Sequence, residues 1–145
     1  MEKEKVEINV LDELNKGACM GCDAIRYTLD KVENEDLKEE LQDEYDNYKD
    51  ILEKIEELYP DYSSKEPHET NAMNKAMTWY GIEMKTMLDK SSSNIAELIL
   101  KGTNMGIIEG RKLLNHKSTD ENVHALVQEY IDMQEQAVEK LKTFL

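Results

Sequence analysis

The sequence is short of the residues that break a chain into pieces, with two prolines and six glycines in 145 positions. Proline cannot continue a helix and glycine weakens one, so their scarcity leaves room for long, uninterrupted helices. Apolar runs are scarce too, and nothing approaches the ~18 consecutive apolar residues that a membrane span needs. Basic charge is outnumbered, 18 Lys and Arg against 32 Asp and Glu, for a formal net charge of −14. Such a field repels phosphate backbones and anionic bilayers, which argues against nucleic acid or membrane as a partner. Met1-Glu2-Lys3-Glu4-Lys5 leads into an amphipathic stretch rather than an apolar signal core, so a cytoplasmic protein is expected. Cysteine is limited to Cys19 and Cys22, which in that compartment are expected to be reduced thiols. The chain is 39% hydrophobic and 34% charged, a balance that suits one globular helical domain over residues 1–145.

A repeat organises that domain. Lys16-Gly17-Ala18-Cys19-Met20-Gly21 returns 85 positions later as Lys101-Gly102-Thr103-Asn104-Met105-Gly106. At the same offset Arg26 matches Arg111, Leu29 matches Leu114, Leu41 matches Leu126, and Glu44-Tyr45 matches Glu129-Tyr130. These are 9 identities in 30 aligned positions, where average usage gives about 2 by chance. A one-residue slip then aligns Glu53-Lys54-Ile55 with Glu139-Lys140-Leu141. The spacing describes two copies of a helical hairpin, over about 6–59 and 94–145, joined by a segment, 60–93, that resembles neither.

Apolar residues at steps of three and four predict a first helix from Val6 to Lys31, with Leu11, Leu14, Ala18, Cys22, Ile25 and Leu29 on one face. Beside it runs a small-residue stripe, Gly17, Gly21, Ala24 and Thr28, whose glycines imply close approach of another backbone. Asn34 is the expected N-cap of a second helix from about Asp36 to Leu58, ended by Tyr59-Pro60. Its inner face carries Leu37, Leu41, Tyr48, Leu52 and Ile55, with Glu44 among them. A loop with Pro67 and His68 precedes a third helix, Asn71 to Leu88, bearing a stripe of Met73, Met77, Met84 and Met87, with Trp79 off that face. The fourth helix, Ile95 to about Asn115, is expected to start at Asn94 with Glu97 and places Glu109 on its apolar face. Ser118 with Glu121 is the expected capping box of a fifth, which runs to the C-terminus through Val123, Leu126, Tyr130, Gln134 and Leu141.

Two hairpins joined by one long helical crossover make an all-α, five-helix chain. The paired hairpins, the crossover and the Arg26-Tyr27-Thr28 stretch of the first helix resemble the ferritin-like superfamily, in particular small rubrerythrin-like bacterial members. The resemblance implies a four-helix bundle. Its di-iron members carry a glutamate on each of two helices and Glu-x-x-His on the other two. In the second helix those positions fall on Glu44 and Asn47 or on Tyr48 and Ile51. In the last helix they fall on Glu129 and Asp132 or on Gln134 and Ala137. Of the three histidines, His68, His116 and His124, only His124 stands three residues after a glutamate, Glu121, and that pair falls in the first turn of the last helix, away from those positions. The resemblance therefore implies the fold without the di-iron chemistry.

Two constellations remain. Cys19-x-x-Cys22 has the spacing of a redox dithiol or half a zinc site, but it lies inside a helix, where small residues also serve packing. Glu44 and Glu109, expected to face inward beside Tyr48, Tyr130 and Gln134, are either a reduced metal site or a hydrogen-bonded polar cluster. The methionine stripe reads as core or an adaptable surface, and Trp79 as an interface residue. The expectation is a non-enzymatic bundle that self-associates as a homodimer or larger homo-oligomer, serves a structural or protein-interaction role and needs no cofactor. The rival is an iron, manganese or zinc protein, or a thiol-redox protein, using Cys19, Cys22, Glu44 or Glu109.

Overall fold

A computed structural model describes residues 2–64, Glu83, Asp89 and 91–145, with side chains from Val6 onward. Four α-helices account for most of them: α1 (Glu2–Leu29), α2 (Glu35–Leu58), α3 (Ser92–His116) and α4 (Glu121–Lys142). The helix expected over Asn71 to Leu88, with its methionine stripe and Trp79, lies outside the described residues, as does His68. No described helix is long and apolar enough to cross a membrane.

Local chemistry sets the helix ends. The Leu37 N–H donates to Asn34 Oδ1 at 2.9 Å, and Glu35 and Asp36 add acidic charge to the first turn of α2. Pro60 then turns the chain into a 3₁₀ turn, Tyr59–Asp61. Two expected starts are corrected. Helix α3 begins at Ser92, with Ser91 Oγ accepting from the Asn94 N–H, so Asn94 lies within the helix instead of capping it. Helix α4 is preceded by Asp120, not Ser118, and Asp120 makes no side-chain cap bond within its own helix.

Cross-helix contacts give the directions of all four. Partners across α1 and α2 have numbers that add to 71, as in Asp12 with Tyr59 and Arg26 with Tyr45, so the two helices are antiparallel. Partners across α2 and α4 add to 182 or 183, as in Tyr48 with Gln134, Lys54 with Glu129 and Tyr62 with Asp120, again antiparallel. Gly106 with Gln134 and Gly110 with Ile131 make α3 and α4 antiparallel. Across α1 and α4 the numbers instead differ by 113, as in Glu7 with Asp120 and Gly17 with Tyr130, so these two are parallel. Helices α2 and α3, both antiparallel to α4, therefore point the same way. Ser64 and Ser91 lie at opposite ends of a bundle about 36 Å long, the rise of a 24-residue helix.

The core registers the two hairpins in two different ways. Buried Val10, Leu11, Leu14, Ala18 and Ile25 of α1 stand 85 positions before buried Ile95, Ala96, Ile99, Thr103 and Gly110 of α3. Buried Leu37, Leu41, Glu44, Tyr48, Ile51 and Ile55 of α2 stand 86 positions before Val123, Val127, Tyr130, Gln134, Ala137 and Leu141 of α4. The caps Asn34 and Asp120 are also 86 apart. The slip thus falls between the helices of a hairpin, and not within the second helices as the identities at Leu41 and Glu44-Tyr45 suggest. Ile51, not Leu52, fills the inward position of α2.

Candidate functional site

The bundle centre is built from glycines on α1 and α3 and large polar side chains on α2 and α4. A Cβ on Gly17 would collide with the Tyr130 hydroxyl, and one on Gly106 with the Gln134 side-chain oxygen. A Cβ on Gly21 would stand 2.6 Å from the Tyr48 ring, and one on Gly110 2.8 Å from Ile131. The glycines are sockets for side chains, which corrects the expectation, drawn from Gly17 and Gly21, that another backbone approaches there. Their cost to helix stability, roughly 1 kcal/mol each, is offset by burying aromatic rings that would not otherwise fit. Tyr48 and Tyr130 meet edge to face with centroids 6.4 Å apart. The Tyr48 hydroxyl donates to Gln134 Oε1 at 3.4 Å, and Gln134 Nε2 donates to the Tyr130 carbonyl at 3.3 Å. Burial pushes the Tyr130 phenol well above its usual range, so it is a neutral hydroxyl.

Glu44 sits on α2 one turn from Tyr48, 2% exposed, and neither carboxyl oxygen has a hydrogen-bond donor. Burial above all, and then the Glu40 carboxyl one turn earlier, push Glu44 up to about 9, against a weak opposing pull from Lys140. At neutral pH it is a protonated acid in an apolar setting, a state that suits packing and not cation binding. Its expected companion is elsewhere: Glu109 has a 70% exposed side chain, 3.7 Å from Lys112. Gly110 is the residue that faces α4, and Glu109 is rotated about 100° from it. Glu44 and Glu109 therefore do not converge.

The cysteines are both free thiols on α1. Cys22 is buried against the core, and burial followed by the neighbouring Cys19 pushes its thiol up to about 11. A thiol held in that form is neither a ready nucleophile nor a ready zinc ligand. Cys19 is half-buried at the edge. His116 and His124 are exposed. Among the described residues no three His, Cys, Asp or Glu side chains are grouped so as to hold a metal ion.

A second polar cluster, at one end of the bundle, has no counterpart in the sequence expectations. Glu7 is fully buried, and its Oε2 accepts the Asp120 N–H at 2.9 Å, while its other oxygen has no partner. Tyr62 donates to Asp120 Oδ2 at 3.0 Å, and Tyr59 donates to Asp12 Oδ1 at 2.9 Å. Burial and these acids push both phenols up to about 12. The carboxylate of α1 thus occupies the N-terminus of α4, where the helix dipole favours negative charge. Glu7 stands four residues before Leu11 on the same apolar stripe, the one signal that could have marked it as inward.

Compared with known proteins, the chain matches no family model, no curated protein and no solved structure.

Proposed function

We propose that this chain is a ferritin-like four-helix bundle whose centre has been given over to packing, and that it acts as a non-enzymatic structural or protein-interaction module. One long connection between two antiparallel hairpins is the topology of that fold class. The two buried registers, 85 and 86 residues apart, favour reading the hairpins as copies of one unit, with the crossover helix as the fifth.

The observation that carries the functional reading is what fills the inward positions. Burial chooses between the two placements of the Glu-x-x-His pattern: Asn47 and Asp132 are exposed, whereas Tyr48, Ile51, Gln134 and Ala137 face the core. A tyrosine, an isoleucine, a glutamine and an alanine supply no set of hard carboxylate and imidazole ligands. Self-association as a homodimer or larger homo-oligomer is assigned to α3. Met105 and Ile108 are 57% and 53% exposed there, close to Lys101, Arg111, Lys112, Glu97 and Glu109. Mixed charge around an apolar pair allows two copies to meet despite the net charge.

Elemental analysis of untagged protein purified without chelator tests the central claim, with light scattering for the oligomer. The expected result is metal-free protein that dissociates in a Met105→Lys/Ile108→Lys variant. Near-stoichiometric iron, manganese or zinc, lost in Glu44→Gln or Cys19→Ser/Cys22→Ser, would replace this reading with a metal-binding one.

A further inference from the structure

We propose that the groove between α2 and α4 docks a cationic, amphipathic helix from a protein partner. The inference rests on the interaction-module reading and names the chemistry of the partner.

Two adjoining hollows of about 450 and 290 Å³ lie along this seam and share Ala125 and Glu129. Their floor is apolar, formed by Ile51, Leu58, Leu126 and Met133. Among the described residues nothing fills the groove at its middle, where Ala125, exposed on α4, contributes only a methyl group. On the α2 side it runs from Asn47 to Leu58, about 17 Å or three helical turns. An apolar trough of that length suits a helix that inserts residues at i, i+3, i+4 and i+7.

Charge selects the occupant. Asp50, Glu57, Glu129 and Asp132 line the rim, and the sole basic lining residue among the described residues, Lys54, is paired with Asp50 at 3.1 Å and with Glu129. Between Asn47 and Leu58, α2 carries four acids, Asp50, Glu53, Glu56 and Glu57, against Lys49 and Lys54. A second copy would offer its mixed-charge α3 face, where Glu97 and Glu109 stand among Lys101, Arg111 and Lys112, a weaker match to an acidic rim than a wholly cationic helix. The chain's own residues 65–90 carry four lysines against four acids and offer no net complementarity. A helix with lysine or arginine flanking an apolar stripe satisfies both the floor and the rim.

The test is fluorescence anisotropy at physiological ionic strength with a labelled Leu/Lys amphipathic peptide of about four helical turns. A scrambled peptide of the same composition, with no apolar face, is the comparison. Ala125→Trp fills the groove without altering charge, and Asp50→Asn/Asp132→Asn removes rim charge without filling it. Glu39→Gln/Glu53→Gln removes equal charge from exposed positions that do not line the groove. The expected result is a preference for the amphipathic peptide, weakened about 10-fold or more by either groove variant and less than about 2-fold by the control. Absence of binding, equal binding of the scrambled peptide, or equal weakening by the control would overturn the proposal. So would a dimer abolished by Ala125→Trp, which makes the occupant a second copy, or native cross-links from the groove to residues 65–90. Metal-free protein that ignores the peptide removes the groove proposal alone, whereas bound metal removes the module reading first.

Discussion

Glu44 and Tyr130 hold corresponding places in the two hairpins, 86 residues apart and both buried, yet one is a carboxyl without a donor and the other a ring in a glycine socket. The neighbouring pair, Tyr48 and Gln134, meet across the bundle centre. The same backbone frame thus carries a different solution on each side. The first hairpin tolerates a buried acid by keeping it protonated. The second fills the equivalent volume with an aromatic ring and lines it with an amide. Position in the frame fixes burial, and the residue placed there fixes the cost.

The largest effect should come from breaking the second solution. Tyr130→Ala is expected to cost about 3–5 kcal/mol in urea unfolding, as for removal of a large core aromatic. Tyr45, which aligns with Tyr130 by identity, is only half-buried and is held at the surface by Arg26, whose Nη2 donates to its hydroxyl at 3.0 Å. Tyr45→Ala should cost about 1 kcal/mol, and equal costs would contradict the 86-residue register.

The first hairpin should respond in the opposite direction. Glu44→Leu is expected to stabilise the fold by roughly 1–3 kcal/mol at pH 7, because it removes a buried carboxyl whose oxygens accept no hydrogen bond and whose one close polar neighbour is another acid, Glu40. In the unfolded chain this acid releases its proton near its ordinary value of 4.5, but in the fold it keeps the proton to about 9. Folding therefore takes up a proton between those values, and wild-type stability falls relative to Glu44→Leu as pH rises through that window, then levels off above it. A pH-independent difference between the two proteins would sink the assignment.

A smaller effect tests the sockets. Gly21→Ala gains about 1 kcal/mol of helix propensity and sets it against overpacking on the Tyr48 ring, for a net loss of about 1–2 kcal/mol. In a Tyr48→Ala background the same substitution should become stabilising, and a double-mutant cycle reads the coupling. The smallest change is kinetic. Thiol titration of native protein should label Cys19 ahead of Cys22, whose ionisation is pushed up to about 11, with Cys22 reacting fully only on unfolding.

Much of the frame was legible because periodicity reports faces. Leu11, Leu14, Ala18 and Ile25 are buried where three- and four-residue steps placed them, and Asn34 caps α2 as its residue type implies. Register was harder to read. Identities at Leu41 and Glu44-Tyr45 pointed to an offset of 85 through the second helices, and one residue of slip turns a helix face by about 100°. Glu109 fails for the same reason, one step from inward-facing Gly110. The glycine stripe of α1 was visible, but its partners were not, since a glycine announces close approach without saying whether a backbone or a ring approaches. Glu7 with Asp120 and the groove around Ala125 depend on pairings between distant stretches, which no local pattern encodes.

The parallel contact between α1 and α4 also orders events during synthesis. Glu7 finds the Asp120 N–H 113 residues later in the chain, a delay of roughly 6–20 s at ordinary translation rates. Through that interval α1 can pair first with α2 and then with α3, while the sockets at Gly17 and the buried side of Glu7 await α4, which has not yet left the ribosome. Nascent chains halted before Glu121 should accordingly expose this face to chaperones, and those extended beyond Lys142 should not.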